Sequence, residues 1–177
     1  MKFSDPKENI KQFVLDRGMV VADFGAGSGG YTIPAAKAVG SRGLVYAIDV
    51  QQELLSRIKN NANKEKLENV DTIWGDVEIL GGSGLKGESV DAVIVSNILF
   101  LVDDKNSLVQ EVSRVLNRTG KVLVVDWKDS FGGLGPRQDD IVTVLDIKSI
   151  FEKYDFMLHH EINAGSHHYG LVFKRKN

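Results

Sequence analysis

Three acids and a cluster of glycines carry most of the chemical potential of this 177-residue sequence. Gly25, Gly27 and Gly29 sit in the run VADFGAGSGGY, from Val21 to Tyr31. Glycine there lets the backbone turn sharply and approach a ligand with no β-carbon in the way. Gly25, Gly27 and Gly30 also satisfy the G-x-G-x-x-G of dinucleotide-binding loops, with Asp49 at the spacing of a ribose-binding acid. Asp23, two residues before the first glycine, opposes a pyrophosphate: like charges about 4 Å apart cost on the order of 4 kcal/mol at an effective dielectric near 20. A carboxylate at that place suits a cation. The plainer alternative for Asp23, Asp49 and Asp76 alike is a helix N-cap.

His167 and His168 form the second chemical feature, because imidazole titrates near neutral pH and serves as a general base. A solvated turn is the plainer account of the pair. His159 and His160 fall in a strand pattern, one on each face, and receive no function. With no cysteine and four histidines lacking a close carboxylate pattern, no metal site is expected.

The elements that must position these groups follow from periodicity. Asp5, Pro6 and Glu8 read as N-cap, first-turn proline and third-position acid of a helix running to about Gly18, with Ile10, Phe13 and Val14 on one face. Residues 19–24 form an apolar strand feeding the glycine loop, and residues 31–39 a helix that tolerates Pro34 in its first turn. Residues 44–48 form a second strand closed by Asp49, and Leu54, Leu55, Ile58 and Ala62 mark one face of the next helix. Residues 70–74 make a third strand. A loop around a short helix is expected over 78–88, then a fourth strand over 90–95. Leu108, Val112, Val115 and Leu116 mark another helix, 121–125 a fifth strand, and 139–154 a last helix. The runs 156–162 and 169–174 are joined by a connection too short for a parallel crossover, so they form an antiparallel hairpin. Strands alternating with helices and ending in a hairpin describe a doubly wound α/β sheet.

In such a sheet ligands lie at the carboxyl ends of the strands, which places Asp23, Asp49 and the turn holding His167 and His168 at one end. Trp127, Lys128, Phe131 and Arg137 follow the fifth strand in a loop that would roof a second pocket, with Trp127 and Phe131 as lining candidates. Gly132, Gly133 and Gly135 are candidate hinges.

Lys and Arg total 22 against 24 Asp and Glu, so no general attraction for nucleic acid or anionic membranes is present, and neither partner is expected. A hydrophobic content of 42% allows one sizeable core, and a single domain over 1–177 is expected. The absence of cysteine suits a reducing compartment, with cytoplasm the default. No signal-peptide run, membrane-spanning segment or internal repeat is read from the sequence.

With these residues in order, the chain resembles the class I S-adenosylmethionine-dependent methyltransferases, in the branch of small enzymes similar to ubiquinone and menaquinone C-methyltransferases. The matching elements are the glycine run of Val21 to Tyr31, Ala47-Ile48-Asp49, Gly75-Asp76-Val77, the run DAVIVSN from Asp91 to Asn97, and LNRTGKVLVVD from Leu116 to Asp126. The resemblance implies a Rossmann-like seven-stranded sheet, mostly parallel with an antiparallel C-terminal strand, in the order 3-2-1-4-5-7-6. It also implies S-adenosylmethionine held by Asp23, Phe24, Gly25, Ala26, Gly27, Gly29, Tyr31, Asp49, Val50, Gly75, Asp76, Val77, Ser96 and Asn97. In that arrangement Asp49 grips ribose, Val50 flanks adenine, Asp76 takes its amino group, the Val77 amide bonds a ring nitrogen, and Ser96 and Asn97 border the methionine moiety. Asp155 departs from the resemblance, which has glycine before Phe156.

Methyl transfer to a small-molecule acceptor is the activity implied. The absence of cysteine argues against arsenite as that acceptor. Only one helix precedes the first strand, so a lid comes from the glycine loop or from the second subunit of a homodimer, unless the site stays open for a larger acceptor. The competing readings are an NAD(P)-dependent oxidoreductase and a cofactor-binding subunit that performs no transfer.

Overall fold

The computed structural model describes residues 3–176; Met1, Lys2 and Asn177, which fall in the span expected as one domain, lie outside the described residues. Seven strands form a single sheet in the order β3-β2-β1-β4-β5-β7-β6. They are β1 (Val20–Phe24), β2 (Leu44–Asp49), β3 (Val70–Trp74), β4 (Val90–Ser96), β5 (Leu116–Trp127), β6 (Phe156–Ile162) and β7 (His168–Arg175). The first five run parallel, while β7 lies antiparallel to both β5 and β6, as the short connection requires. This is the order implied by the resemblance. It differs from the all-parallel 3-2-1-4-5-6 order of dinucleotide-binding sheets by the antiparallel insertion of β7.

Among the described residues five α-helices cover the sheet: α1 (Pro6–Phe13), α2 (Thr32–Val39), α3 (Gln52–Lys64), α4 (Lys105–Val115) and α5 (Val144–Lys153). Strand side chains alternate between two cores, as period-two geometry demands. Ala22, Phe24, Val93, Val95, Val122 and Val124 pack toward α4 and α5. Val21, Val45, Ala92, Ile94, Leu123 and Val125 pack toward α1 and α2. No described helix is long and apolar enough to cross a membrane.

Four boundaries depart from the sequence reading. Helix α1 stops at Phe13 instead of continuing toward Gly18, because Val14 adopts a left-handed conformation (φ 59°) and its amide returns to the Ile10 carbonyl. Val14 is therefore exposed and not on the buried face. The segment 78–88 is a chain of turns with no helix. Leu116 begins β5 instead of ending α4, and the extra length is accommodated by a register shift against β4. The last α-helix starts at Val144 because Thr143 and Asp146 close a capping box; a 3-10 turn, Gln138–Asp140, precedes it.

Candidate active site

The glycine loop leaves β1 with Gly25, Gly27 and Gly29 all at positive φ, so it turns where other residues would be strained. A β-carbon on Gly25 would lie 2.6 Å from Ile98, and one on Gly29 would lie 3.0 Å from Ile58, so these two glycines allow close packing. One on Gly27 would meet open space. Gly27 is thus the point where the loop backbone faces outward.

Asp49 ends β2 beside this loop. One carboxylate oxygen accepts from the Gly27 amide at 2.8 Å and the other from the Gln51 amide at 2.9 Å. Each carboxylate oxygen can accept a further bond. Asp49 therefore fixes the loop and keeps capacity for hydroxyl donors. A cavity lies next to it, lined by Gly25, Asp49, Val50, Asp76, Val77 and Ile98 among others. Val50 is exposed at its rim, where the Trp74 indole donates to the Val50 carbonyl at 2.9 Å.

Asp76 opens the turn that follows β3, its carboxylate accepting from the Glu78 amide at 2.9 Å. The expected plain role of helix N-cap does not apply, since no helix follows. Gly75 is dictated by packing: a β-carbon there would lie 2.4 Å from the Gly82 carbonyl oxygen. Val77 is buried in the core, so its backbone is what it offers to the cavity. Phe24 is likewise wholly buried.

The 75–88 segment is held from below by Glu111 of α4. Its fully buried carboxylate accepts from the Gly81 and Ser83 amides at 2.7 and 3.2 Å, and from the Ser83 hydroxyl, while Arg114 pairs with it at 2.7 Å. Burial pushes this carboxyl up, but the donors from Arg114, Ser83 and Gly81 together hold it down at about 2. Sequence reasoning missed Glu111, because nothing local distinguishes it from a surface acid 28 residues away from the loop it binds.

Asp23 is 1% exposed. One oxygen accepts from the Thr32 hydroxyl at 2.6 Å, and the other is buried with no partner. Burial raises its carboxyl to about 7; the Thr32 hydroxyl opposes this and the nearby Asp49 charge adds to it. Tyr31 turns the other way. Its hydroxyl accepts from Asn9 of α1 at 2.7 Å and lies 3.4 Å from Ser4, and burial raises its pKa.

At the end of β4, Asn97 sits at φ 54°, its amide bonded to the Val125 carbonyl and its side-chain oxygen buried without a partner; Ser96 is half-buried before it. Asp126 stands one residue before the end of the neighbouring β5, and its carboxylate receives the Leu99 and Trp127 amides at 2.9 and 2.8 Å. Burial raises its carboxyl to about 6.

The antiparallel β7 brings three more residues to this end, pairing His168 with Trp127 and Tyr169 with Asp126. His168 lies with its ring centroid 4.2 Å from that of Trp127, and burial lowers its pKa. Burial raises that of Tyr169. His167 places Nδ1 2.5 Å from an Asp129 oxygen and stacks on Phe131 at 4.5 Å. Asp129 was not singled out from sequence, because its partner lies 38 residues further along the chain. Of the other loop candidates, Arg137 pairs with Asp140 at 2.8 Å, and Gly135 is pressed under the Trp127 ring.

Five side-chain atoms are buried without a partner among the described residues: Asp23 Oδ1, Asn97 Oδ1, His167 Nε2, His168 Nδ1 and the Tyr169 hydroxyl. All five belong to residues at the carboxyl end of the parallel strands, and buried polar groups are seldom left unpaired without reason. No group of three His, Cys, Asp or Glu side chains that could hold a metal occurs among the described residues.

This sheet order, with a glycine loop after β1 and acids closing β2 and following β3, defines the class I S-adenosylmethionine-dependent methyltransferase fold. The chain belongs to the methyltransferase-domain family, whose model matches residues 15–171. It is 32% identical over 119 residues to an arsenite methyltransferase of Halobacterium salinarum, a match covering 67% of this chain and 30% of that protein. It is 29% identical over 126 residues to the ubiquinone/menaquinone biosynthesis C-methyltransferase UbiE of Escherichia coli O1:K1 / APEC, covering 66% of this chain and 48% of that one. The matches thus span less than half the length of these curated relatives. A crystal structure of a SAM-dependent methyltransferase from Aquifex aeolicus superposes with a TM-score of 0.86 at 26% identity, covering 97% of this chain and 89% of that one.

Proposed function

We propose that this chain moves a methyl group from S-adenosylmethionine to a small-molecule acceptor by in-line displacement. The observation that carries the reading is the half-satisfied Asp23 carboxylate, buried at the head of the glycine loop with one oxygen unpartnered. An ammonium group supplies what that oxygen lacks, whereas a pyrophosphate would add repulsion. The residues present fit the rest of the cofactor. Asp49 retains acceptor capacity for ribose hydroxyls, Val50 and Ile98 give apolar walls for an adenine ring whose amino group donates to Asp76, and Val77 offers its backbone amide to a ring nitrogen. Gly25, Ala26 and Gly27 offer backbone, while Ser96 and Asn97 border the methionine end. Phe24, Gly29, Tyr31 and Gly75 act by shaping the loops.

When bound, the cofactor supplies an activated methyl carbon on a sulfonium. The chain's task is then orientation and exclusion of water. Glu111 and Asp49 serve orientation by fixing the two loops. Several relatives are named for arsenite, but this chain has no cysteine, so no thiolate is available to a soft arsenic centre and we favour an organic acceptor.

Calorimetric titration with S-adenosylmethionine, S-adenosylhomocysteine and NAD tests the reading. Micromolar or tighter binding of the two S-adenosyl ligands is expected. Binding of NAD alone would replace it with the oxidoreductase reading.

A further inference from the structure

Strand β6 closes one end of the sheet, beside β7. Its pairing is broken once. Leu158 stands opposite Phe173 and His160 opposite Val172, so His159 is an extra residue with no partner in β7. Such a bulge re-aims side chains that strict alternation would send to opposite faces. The sequence reading placed His159 and His160 one on each face and expected no metal site. The bulge instead turns both rings toward each other, with the two Nδ1 atoms 2.7 Å apart. Both residues are exposed.

The strand that carries this pair is pinned from both faces of the sheet. Glu161 pairs with Lys148 of α5 at 3.2 Å. On the other face the Gln12 side chain of α1 and the Asn163 backbone, just past the strand, exchange bonds at 2.9 and 3.0 Å. Both residues also line a second cavity, of about 450 Å³, between α1 and the β6–β7 turn. The two imidazoles thus sit on a held frame, which lowers the ordering cost of binding.

Two ring nitrogens this close share either a hydrogen or a ligand. In the first case one Nδ1–H donates to the other Nδ1; moving that hydrogen to Nε2 of its own ring frees both lone pairs with no net proton released. Metal–nitrogen bonds are about 2.0–2.1 Å, so two nitrogens bound at a right angle lie about 2.9 Å apart, and at the tetrahedral angle about 3.3 Å. The separation of 2.7 Å is nearer the right angle, which is the angle of square-planar coordination. We propose that His159 and His160 chelate one copper(II) ion through their Nδ1 atoms, with water completing the square. Among divalent ions that suit imidazole, copper(II) binds first in the general order of affinity, and the bite tells against tetrahedral zinc. Lys174 and Lys121 place positive charge near His159. That charge opposes protonation of the ring, and it disfavours most the ions held by oxygen ligands and charge, calcium and magnesium. Among the described residues no group of three His, Cys, Asp or Glu side chains could hold a metal, so the remaining positions stay open to solvent.

The site is independent of the methyl-transfer reading, and copper(II) sulfate titrated into the full chain tests it. Calorimetry with glycine as a competing ligand should give one ion per chain. Electron paramagnetic resonance without glycine should show splitting by two nitrogens. His159→Gln and His160→Gln should each weaken binding at least about tenfold, because losing either nitrogen ends the chelate. Circular dichroism should show both variants folded, since the two side chains are exposed. In proton NMR of the unaltered chain, copper should broaden the ring signals of His159 and His160 first. Zinc(II) should bind more weakly than copper(II). Affinity lost in one variant only, or in neither, would mean separate surface histidines and overturn the chelate. So would broadening centred on His167 or His168, one ion shared by two chains, or zinc binding as tight as that of copper.

Discussion

Replacing Asp23 by asparagine should strengthen the fold and weaken the site, each by an amount that depends on pH. Burial raises the Asp23 carboxyl to about 7 in the folded chain, against its ordinary 3.8. The folded state therefore holds a proton that the unfolded state has released between those values, and stability falls as pH rises through that window. From pH 5 to pH 8 the group crosses about two units below its folded pKa, so the loss is about 3 kcal/mol. Asparagine cannot ionise, yet its side-chain oxygen can still accept from the Thr32 hydroxyl. Relative to the original chain the variant should thus gain about 3 kcal/mol between pH 5 and pH 8. For a chain of this size the gap corresponds to roughly 5–10 °C in melting temperature. Thermal denaturation followed by circular dichroism at the two pH values measures it. Calorimetry on the same samples should show S-adenosylhomocysteine binding weakened at least about tenfold at pH 8, as a lost charge-assisted bond requires. Equal melting temperatures at both pH values would refute the burial argument, and unchanged affinity would remove the ammonium from Asp23.

Asp49→Ala strips the Gly27 and Gln51 amides of their acceptor, so calorimetry should show S-adenosylhomocysteine affinity reduced by more than about 1 kcal/mol; an unaltered constant would exclude Asp49 from the site. Glu111→Ala should cost about 2 kcal/mol in urea denaturation, once screening through the partly exposed Arg114 is allowed for. The Glu111 carboxyl is depressed from 4.5 to about 2, so its contribution is complete above pH 4.5 and disappears as pH falls toward 2. A variant whose deficit persists undiminished at pH 2 would contradict that assignment. Asp155→Gly should raise stability by about 0.5–1 kcal/mol, because Asp155 stands at φ 61° where glycine is unstrained; a lower urea midpoint would show that the Asp155 side chain contributes more than its backbone costs.

The parallel strands and the closing hairpin were readable because continuous apolar runs and a short connection constrain a doubly wound sheet tightly, while the strand order came with the resemblance. The boundaries that failed are those decided by single dihedrals or distant partners. Nothing in the sequence between Phe13 and Gly18 announces the left-handed Val14. The turns over 78–88 owe their shape to Glu111 in another element, so local glycines could not reveal it. The same limit governs the site. Asp23, Asp49 and Asp76 stand within a residue or two of strand ends and are visible as punctuation. Asp129 becomes informative only when folding sets it against His167. The unusual Asp155 was visible in sequence as a departure, and the positive φ explains why glycine is the common choice there.

The reciprocal amide pair between Gln12 and Asn163 joins segments 151 residues apart. The cavity beside Asp49, by contrast, is built entirely from residues 25–102. A chain emerging in order therefore has every residue that lines the first cavity while the second still lacks a wall, and contacts of such long span form slowly. The second cavity therefore depends on the two ends of the described chain meeting, and the first does not.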